Sequence, residues 1–117
     1  MRSEEEIVSL VEKQIDSITS AEMKAQLRRY LVAPALHYRD WEYSQDPTKF
    51  PCWTVAILIS GRLAIAYSDH GHGVPWGLVD LENSWFGMDS QWFLRLEDAF
   101  IQSGMWKGTL PTGYEVA

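Results

Sequence analysis

The sequence has very little cysteine and no long apolar run. Cys52 is the single cysteine in 117 residues, so no disulfide can form within the chain. Because no Cys-His signature surrounds it, we expect a buried, reduced thiol. The N-terminal residues lack the apolar core of a signal peptide, and no segment reaches the length of a membrane span. These absences favour a cytoplasmic protein that does not enter a membrane.

Basic residues are scarce in the second half of the chain. Residues 1–62 carry nine acidic and eight basic side chains, whereas residues 63–117 carry seven acidic side chains against only Arg95 and Lys107. This excess of negative charge repels phosphate backbones and attracts cationic partners. We therefore expect no nucleic-acid ligand and consider a basic protein partner. A surface that is acidic only for solubility is the plainer interpretation.

No stretch matches a specific catalytic motif. The closest is Ser68-Asp69-His70-Gly71-His72-Gly73, because two imidazoles and a carboxylate on a glycine-rich turn can bind a metal or transfer protons. A stable metal site needs three or four ligands, and an H-x-H pair supplies only two. We therefore expect no metal, no cofactor and no enzymatic activity. A small metal-dependent hydrolase using Asp69, His70 and His72 is the alternative.

The N-terminal residues predict two helices. Ser3 and Glu6 have the spacing of a capping box, and apolar residues then recur at helical spacing, which predicts a helix over residues 4–17. A second capping pattern and a second apolar stripe follow. They predict another helix that ends near Pro34.

The longest apolar stretch predicts a β-hairpin. Strand-forming residues on both sides of Ser60-Gly61 predict strands over 52–59 and 62–68. The expected cross-strand pairs are Val55 with Ala66, Ala56 with Ile65, Ile57 with Ala64 and Leu58 with Leu63. Both faces of this hairpin are apolar, so both must be covered. The N-terminal helices can cover one face, and a C-terminal helix, long loops or another subunit must cover the other.

Further elements lie on either side of the hairpin. Residues 35–43 predict a strand near a sheet edge, because it contains Arg39 and Asp40. Residues 76–81 predict another strand. A C-terminal helix is expected over 90–103, with Asp89 or Ser90 as N-cap and Gly104 after its last turn. We expect a single α+β domain over residues 1–117: two N-terminal helices, an antiparallel sheet of three to five strands and a C-terminal helix.

Two segments carry a resemblance to known proteins. The patterns YSDHGHGVPWGLV and WFGMDSQWFLRLEDAF resemble those of small bacterial proteins, and the overall make-up of the chain is similar to that of immunity proteins of interbacterial toxin systems. The resemblance covers about residues 53–104 and points to no named family. It implies a cytosolic, acidic α+β protein that neutralises a toxic domain by stoichiometric binding. No functional residue carries over from it by position.

Aromatic and acidic side chains are mixed between positions 69 and 92. Exposed tryptophans provide contact area, and carboxylates around them accelerate the encounter with a cationic partner. We predict that this region binds a basic protein toxin domain. The predicted contact residues are Asp69, His70, His72, Trp76, Asp80, Glu82, Trp85 and Asp89. The alternatives are tryptophans packed in the core, and a homodimer or larger homo-oligomeric structural protein whose twin covers the second sheet face.

Overall fold

The described part of the chain contains three helices and a five-stranded sheet. The computed structural model describes residues 2–40, 49–69, 73–87 and 89–110. The helices are α1 (Glu4–Ser17), α2 (Ala21–Tyr30) and α3 (Leu96–Gln102), and the strands are β1 (Leu31–Arg39), β2 (Phe50–Ile59), β3 (Leu63–Tyr67), β4 (Trp76–Asp80) and β5 (Trp92–Phe93). All neighbouring strands are antiparallel, in the order β1-β2-β3-β4-β5. The predicted α+β class, with two N-terminal helices and one C-terminal helix, is confirmed.

The boundary of α1 agrees with its capping pattern. Ser3 Oγ accepts the Glu6 N–H at 3.2 Å, and the Glu6 carboxylate accepts the Ser3 N–H at 3.3 Å, which satisfies two free donors of the first turn. The second helix ends at Tyr30 rather than near Pro34. The proline disfavours helical geometry at the residue before it, and the chain has already entered β1 at Leu31, where it pairs with β2.

The sheet register is predicted correctly only in the middle of the hairpin. The confirmed pairs are Ala56 with Ile65 and Ile57 with Ala64. The outer pairs are wrong: the structure pairs Thr54, not Val55, with Ala66, and Ile59, not Leu58, with Leu63. Two register shifts in β2 separate the outer pairs from the central ones. A further shift lies between Leu31 and Ala35 where β1 pairs with β2. Such bulges bend strands and increase their twist.

The predicted edge strand lies at the sheet edge, but four residues earlier than expected. β1 spans Leu31–Arg39 instead of 35–43, and residues 41–43 of the prediction lie outside the described residues. Asp40 forms a parallel bridge with Trp85, from the segment after β4. Because β2 and β3 separate β1 from β4 in the sheet, the segment after β4 must cross a sheet face to reach the end of β1, and Phe86 of this segment packs on the second face.

Both sheet faces are covered, as their apolar character requires. The three helices cover the first face, where residues such as Ile15, Leu27, Ile65 and Phe100 form the larger core. The second face has small side chains, Cys52, Ala64 and Ala66, and the rings of Phe86 and Trp92 pack on it. The second face is therefore covered by the loop that carries Phe86 and by β5, which carries Trp92. Cover by loops of the same chain is one of the options that the sequence left open.

The predicted C-terminal helix over 90–103 is wrong in its first half. A 3-10 turn, Asp89–Gln91, and strand β5 precede α3, which has Arg95 as its N-cap residue and begins at Leu96. The Trp92 indole is only 4% exposed and lies against Gly77 of β4, so long-range packing outweighs the local helical pattern. Gly104 follows the helix with φ +81°, as its predicted capping role requires. Within the described ranges, no helix has the length and apolarity to cross a bilayer.

Candidate functional site

The predicted contact residues that the structure describes lie towards two opposite ends of the sheet. Tyr67 pairs with Trp76 at one end of the β3–β4 ladder, and Leu63 pairs with Asp80 at the other. Asp69 follows the first end, while Glu82 and Trp85 follow the second. Four strand steps separate the two ends, or about 13 Å at roughly 3.3 Å per residue. The expected single acidic, tryptophan-bearing surface is therefore divided.

At the first end, Asp69 already has cationic and hydroxyl partners. Its carboxylate accepts hydrogen bonds from Arg2 Nε at 3.0 Å and from the Tyr67 hydroxyl at 2.7 Å. Burial, followed by the nearby carboxylate, raises the pKa of Tyr67. These contacts attach the N-terminus to the end of β3. His70 and His72 lie outside the described residues.

Trp76 is a core residue rather than a contact residue. It is 2% exposed, and its ring meets Tyr67 edge-on with the centroids 5.0 Å apart. Its position in β4 directs it to the helix-covered face, where it belongs to the larger core. The expectation that its indole is available to a partner is wrong. The register of β4 places Trp76 on the helix-covered face, where the core buries it.

At the second end, three predicted contact residues line one cleft. Asp80, Glu82 and Trp85 border a cleft of about 470 Å³ together with Ile59 and Arg62 of the hairpin turn. We call it the Trp85 cleft. The Trp85 side chain is 50% exposed, and Asp80 and Glu82 are exposed. With two carboxylates and one guanidinium, this set of residues has a net negative charge.

Asp80 shapes the loop as well as carrying charge. Its Oδ1 accepts the Glu82 N–H at 2.8 Å, and its Oδ2 accepts a hydrogen bond from Asn83 Nδ2 at 3.3 Å. The Asn83 side-chain oxygen in turn accepts the Trp85 N–H at 2.9 Å. Aspartate and asparagine stabilise turns in this way. Glu82 is consequently the better residue for testing charge, since replacing Asp80 also disturbs the turn.

Residues 80–86, hereafter the site loop, are hydrogen-bonded to Arg39 and Asp40 at the end of β1. Arg39 is 4% exposed, and its Nη1 donates to the backbone carbonyls of Asp80, Asn83 and Trp85, each at 3.2 Å. Asp40 adds two backbone hydrogen bonds: its N–H donates to the Ser84 carbonyl at 2.7 Å, and its carbonyl accepts the Phe86 N–H at 2.6 Å. The sequence places Arg39 at an edge but gives no signal of this burial.

The end of the site loop is fixed by aromatic packing. Phe86 is 1% exposed, and its ring stacks on Trp92 with centroids 4.5 Å apart. The Trp92 Nε1 donates to the Phe86 carbonyl at 3.0 Å. Trp85 therefore faces solvent, while its neighbour Phe86 is buried in the second core, the cluster that Phe86 and Trp92 form with Cys52, Ala64 and Ala66 on the second sheet face. Asp89 begins the next turn, and its side chain lies outside the described part of the structure.

The one cysteine has the environment of a structural residue. Cys52 is fully buried on the second face, and burial raises the pKa of its thiol from 9.0 to about 11. A thiol in this state is a poor nucleophile, because the thiolate is the reactive form. Among the described residues, no group of three or more His, Cys, Asp or Glu side chains is placed to hold a metal ion.

Comparisons with protein-family models, curated proteins and solved structures found no match for this chain. The geometry of the site therefore supplies the argument for function.

Proposed function

We propose that this chain is a non-catalytic binding protein of the immunity or inhibitor type, which neutralises a basic toxin domain by stoichiometric binding through the Trp85 cleft. One observation carries the proposal: a half-exposed tryptophan lies beside two exposed carboxylates on a loop that the rest of the fold holds in place. Tryptophan is among the residues that dominate binding energy at protein interfaces.

The surroundings of Trp85 favour a cationic group. An indole face attracts a guanidinium or ammonium, and an adjacent carboxylate strengthens that attraction. Glu82 supplies a carboxylate that is exposed at the cleft. Arg62 reduces the net charge of the cleft, so we expect the partner to present one or a few basic side chains rather than a large uniformly basic surface.

The held loop also lowers the cost of binding. A loop that must be ordered on association loses conformational entropy at that moment, which reduces affinity. Here the backbone around Trp85 already has hydrogen-bond partners from Arg39, Asp40 and Asn83. The binding surface therefore exists before the partner arrives.

A titration with a tri-arginine peptide tests the proposal. In a ¹⁵N-labelled sample, the peptide should shift the indole N–H signal of Trp85 more than those of the other tryptophans, and a tri-glutamate peptide should not. The Trp85 signal is assigned from the variant Trp85→Phe. Glu82→Lys should weaken peptide binding by about tenfold, because it places a like charge beside the ligand.

The matched control is Asp16→Lys, which makes the same change in net charge on an exposed residue of α1. It should leave the affinity nearly unchanged. If both variants weaken binding equally, the attraction is general to an acidic protein. If the Trp85 signal does not move, the cleft is not the site.

A further inference from the structure

Arg39 is an unusual residue because its charged side chain is buried. No ion pair to it occurs among the described residues, and its Nε has no hydrogen-bond partner there. Its pKa is lowered, chiefly by burial. Removing a guanidinium from water costs several kcal/mol unless other interactions compensate. The compensation visible in the structure comes from the site loop.

The hydrogen bonds of Arg39 to the site loop are to backbone carbonyls, and the Asp80 carboxylate adds a coulombic attraction. The carbonyls of Asp80, Asn83 and Trp85 all lie 3.2 Å from its Nη1. Hydrogen bonds from a charged donor are stronger than those between neutral groups. Since the acceptors are backbone atoms, the guanidinium holds the loop backbone directly, in addition to the turn bonds of Asp80 and Asn83. Arg39 and Asp40 together form six hydrogen bonds with the segment 80–86: three from Arg39, two through the Asp40 backbone, and one from the Ser84 hydroxyl to the Asp40 carboxylate.

We infer that Arg39 is the positioning residue of the Trp85 cleft, holding the site loop so that Glu82 and Trp85 face the partner. The inference rests on the proposed function. In this role Arg39 does not touch the ligand. It acts by keeping the carbonyls of the loop turned inward, towards β1, and so limits the conformations that the two contact residues can adopt.

Amide hydrogen exchange tests this role without a partner. In Arg39→Met, the Phe86 amide, which donates to Asp40, should exchange about tenfold faster, because charge-assisted hydrogen bonds to the loop are lost. A β3 amide such as that of Ile65 should change much less. Arg39→Lys, which keeps the charge but not the planar set of donors, should restore part of the protection. Arg29→Met, at an exposed position of α2, is the control and should have no effect on the loop.

The tri-arginine peptide then connects the loop to binding. Arg39→Met should weaken peptide binding, and Arg39→Lys should recover part of it. Unchanged Phe86 exchange in Arg39→Met would overturn the inference, and so would an equal increase at Phe86 and Ile65, which indicates general destabilisation. If the wild-type protein does not bind the peptide, the proposed function fails, while the exchange data still decide whether Arg39 holds the loop.

A second measurement covers the case in which Arg39→Met does not fold. In the wild-type protein, the guanidinium protons of Arg39 should give separate, slowly exchanging NMR signals, because three carbonyls restrict their rotation and access to water. A single averaged signal that exchanges as fast as that of Arg29 would overturn the inference.

Discussion

The variant Gly77→Ala is expected to lower the free energy of unfolding, because its added methyl group collides with the Trp92 indole on the second sheet face. A Cβ at position 77 would lie 2.5 Å from two atoms of the Trp92 indole and 2.6 Å from a third. Trp92 cannot move away freely, because it is buried, stacks on Phe86 and donates its Nε1 hydrogen bond to the Phe86 carbonyl. Displacing the indole therefore also disturbs the end of the site loop.

The cost follows from these contacts. Overpacking a tight core costs about 1–3 kcal/mol, and loss of the indole hydrogen bond adds about 1 kcal/mol. Restricting the unfolded chain by the added methyl recovers at most about 1 kcal/mol. The net loss is about 1–3 kcal/mol in the free energy of unfolding. For a chain of this length that corresponds to a fall in Tm of about 4–12 °C.

Thermal and urea unfolding of four proteins measure this effect: wild type, Gly77→Ala, Trp92→Leu and the double variant. In the Trp92→Leu background the added methyl no longer meets a ring, so its cost should fall below about 1 kcal/mol, which gives a clear coupling energy between the two sites. A neutral or stabilising Gly77→Ala would refute the packing argument. Equal costs in both backgrounds would do the same.

Three further outcomes are expected. Ser3→Ala should lower the free energy of unfolding by about 1 kcal/mol in urea titrations, because it removes one half of the capping box; an unchanged midpoint would contradict it. Cys52 should make stability fall as pH rises from about 9 to about 11, since its pKa is about 11 when folded and the unfolded thiol ionises earlier. The loss over this range is about 2 kcal/mol, and in Cys52→Ala the decline should be smaller by that amount. Trp85→Ala should change the free energy of unfolding by less than about 1 kcal/mol while weakening peptide binding at least about tenfold; a large loss of stability would show that the indole serves the fold instead.

The parts of the fold that local chemistry controls could be predicted. The bounds of α1 follow from Ser3, Glu6 and an apolar stripe, all within one short segment. The fold class and the central pairs of the hairpin follow from strand propensity and a turn signal. In these cases the interactions that decide the structure lie close together in the sequence.

The remaining errors come from contacts between distant residues. The outer hairpin pairs are wrong because two register shifts in β2 move its partners on β3, and the bridge between Asp40 and Trp85 joins residues far apart in the sequence. The first half of the C-terminal helix is wrong because Trp92 packs on Gly77. Neither contact has a sequence signal of its own.

The arrangement of the candidate site also depends on contacts between distant residues. Trp76 and Trp85 stand in similar surroundings of glycine and polar residues, yet one is buried and the other is half exposed. Only the β4 register distinguishes them. Arg39 could be placed near an edge from its charge, but its three carbonyl partners lie more than forty positions away, so no pattern around it could indicate its contacts.

The most direct measurement is the ratio of tri-arginine dissociation constants for Glu82→Lys and Asp16→Lys, determined at the same low ionic strength. If the peptide occupies the Trp85 cleft, the ratio is about ten, since only one of the two charge reversals lies beside the ligand. A ratio near one contradicts the account, because it would mean that the peptide responds to the charge of the whole molecule and not to this cleft.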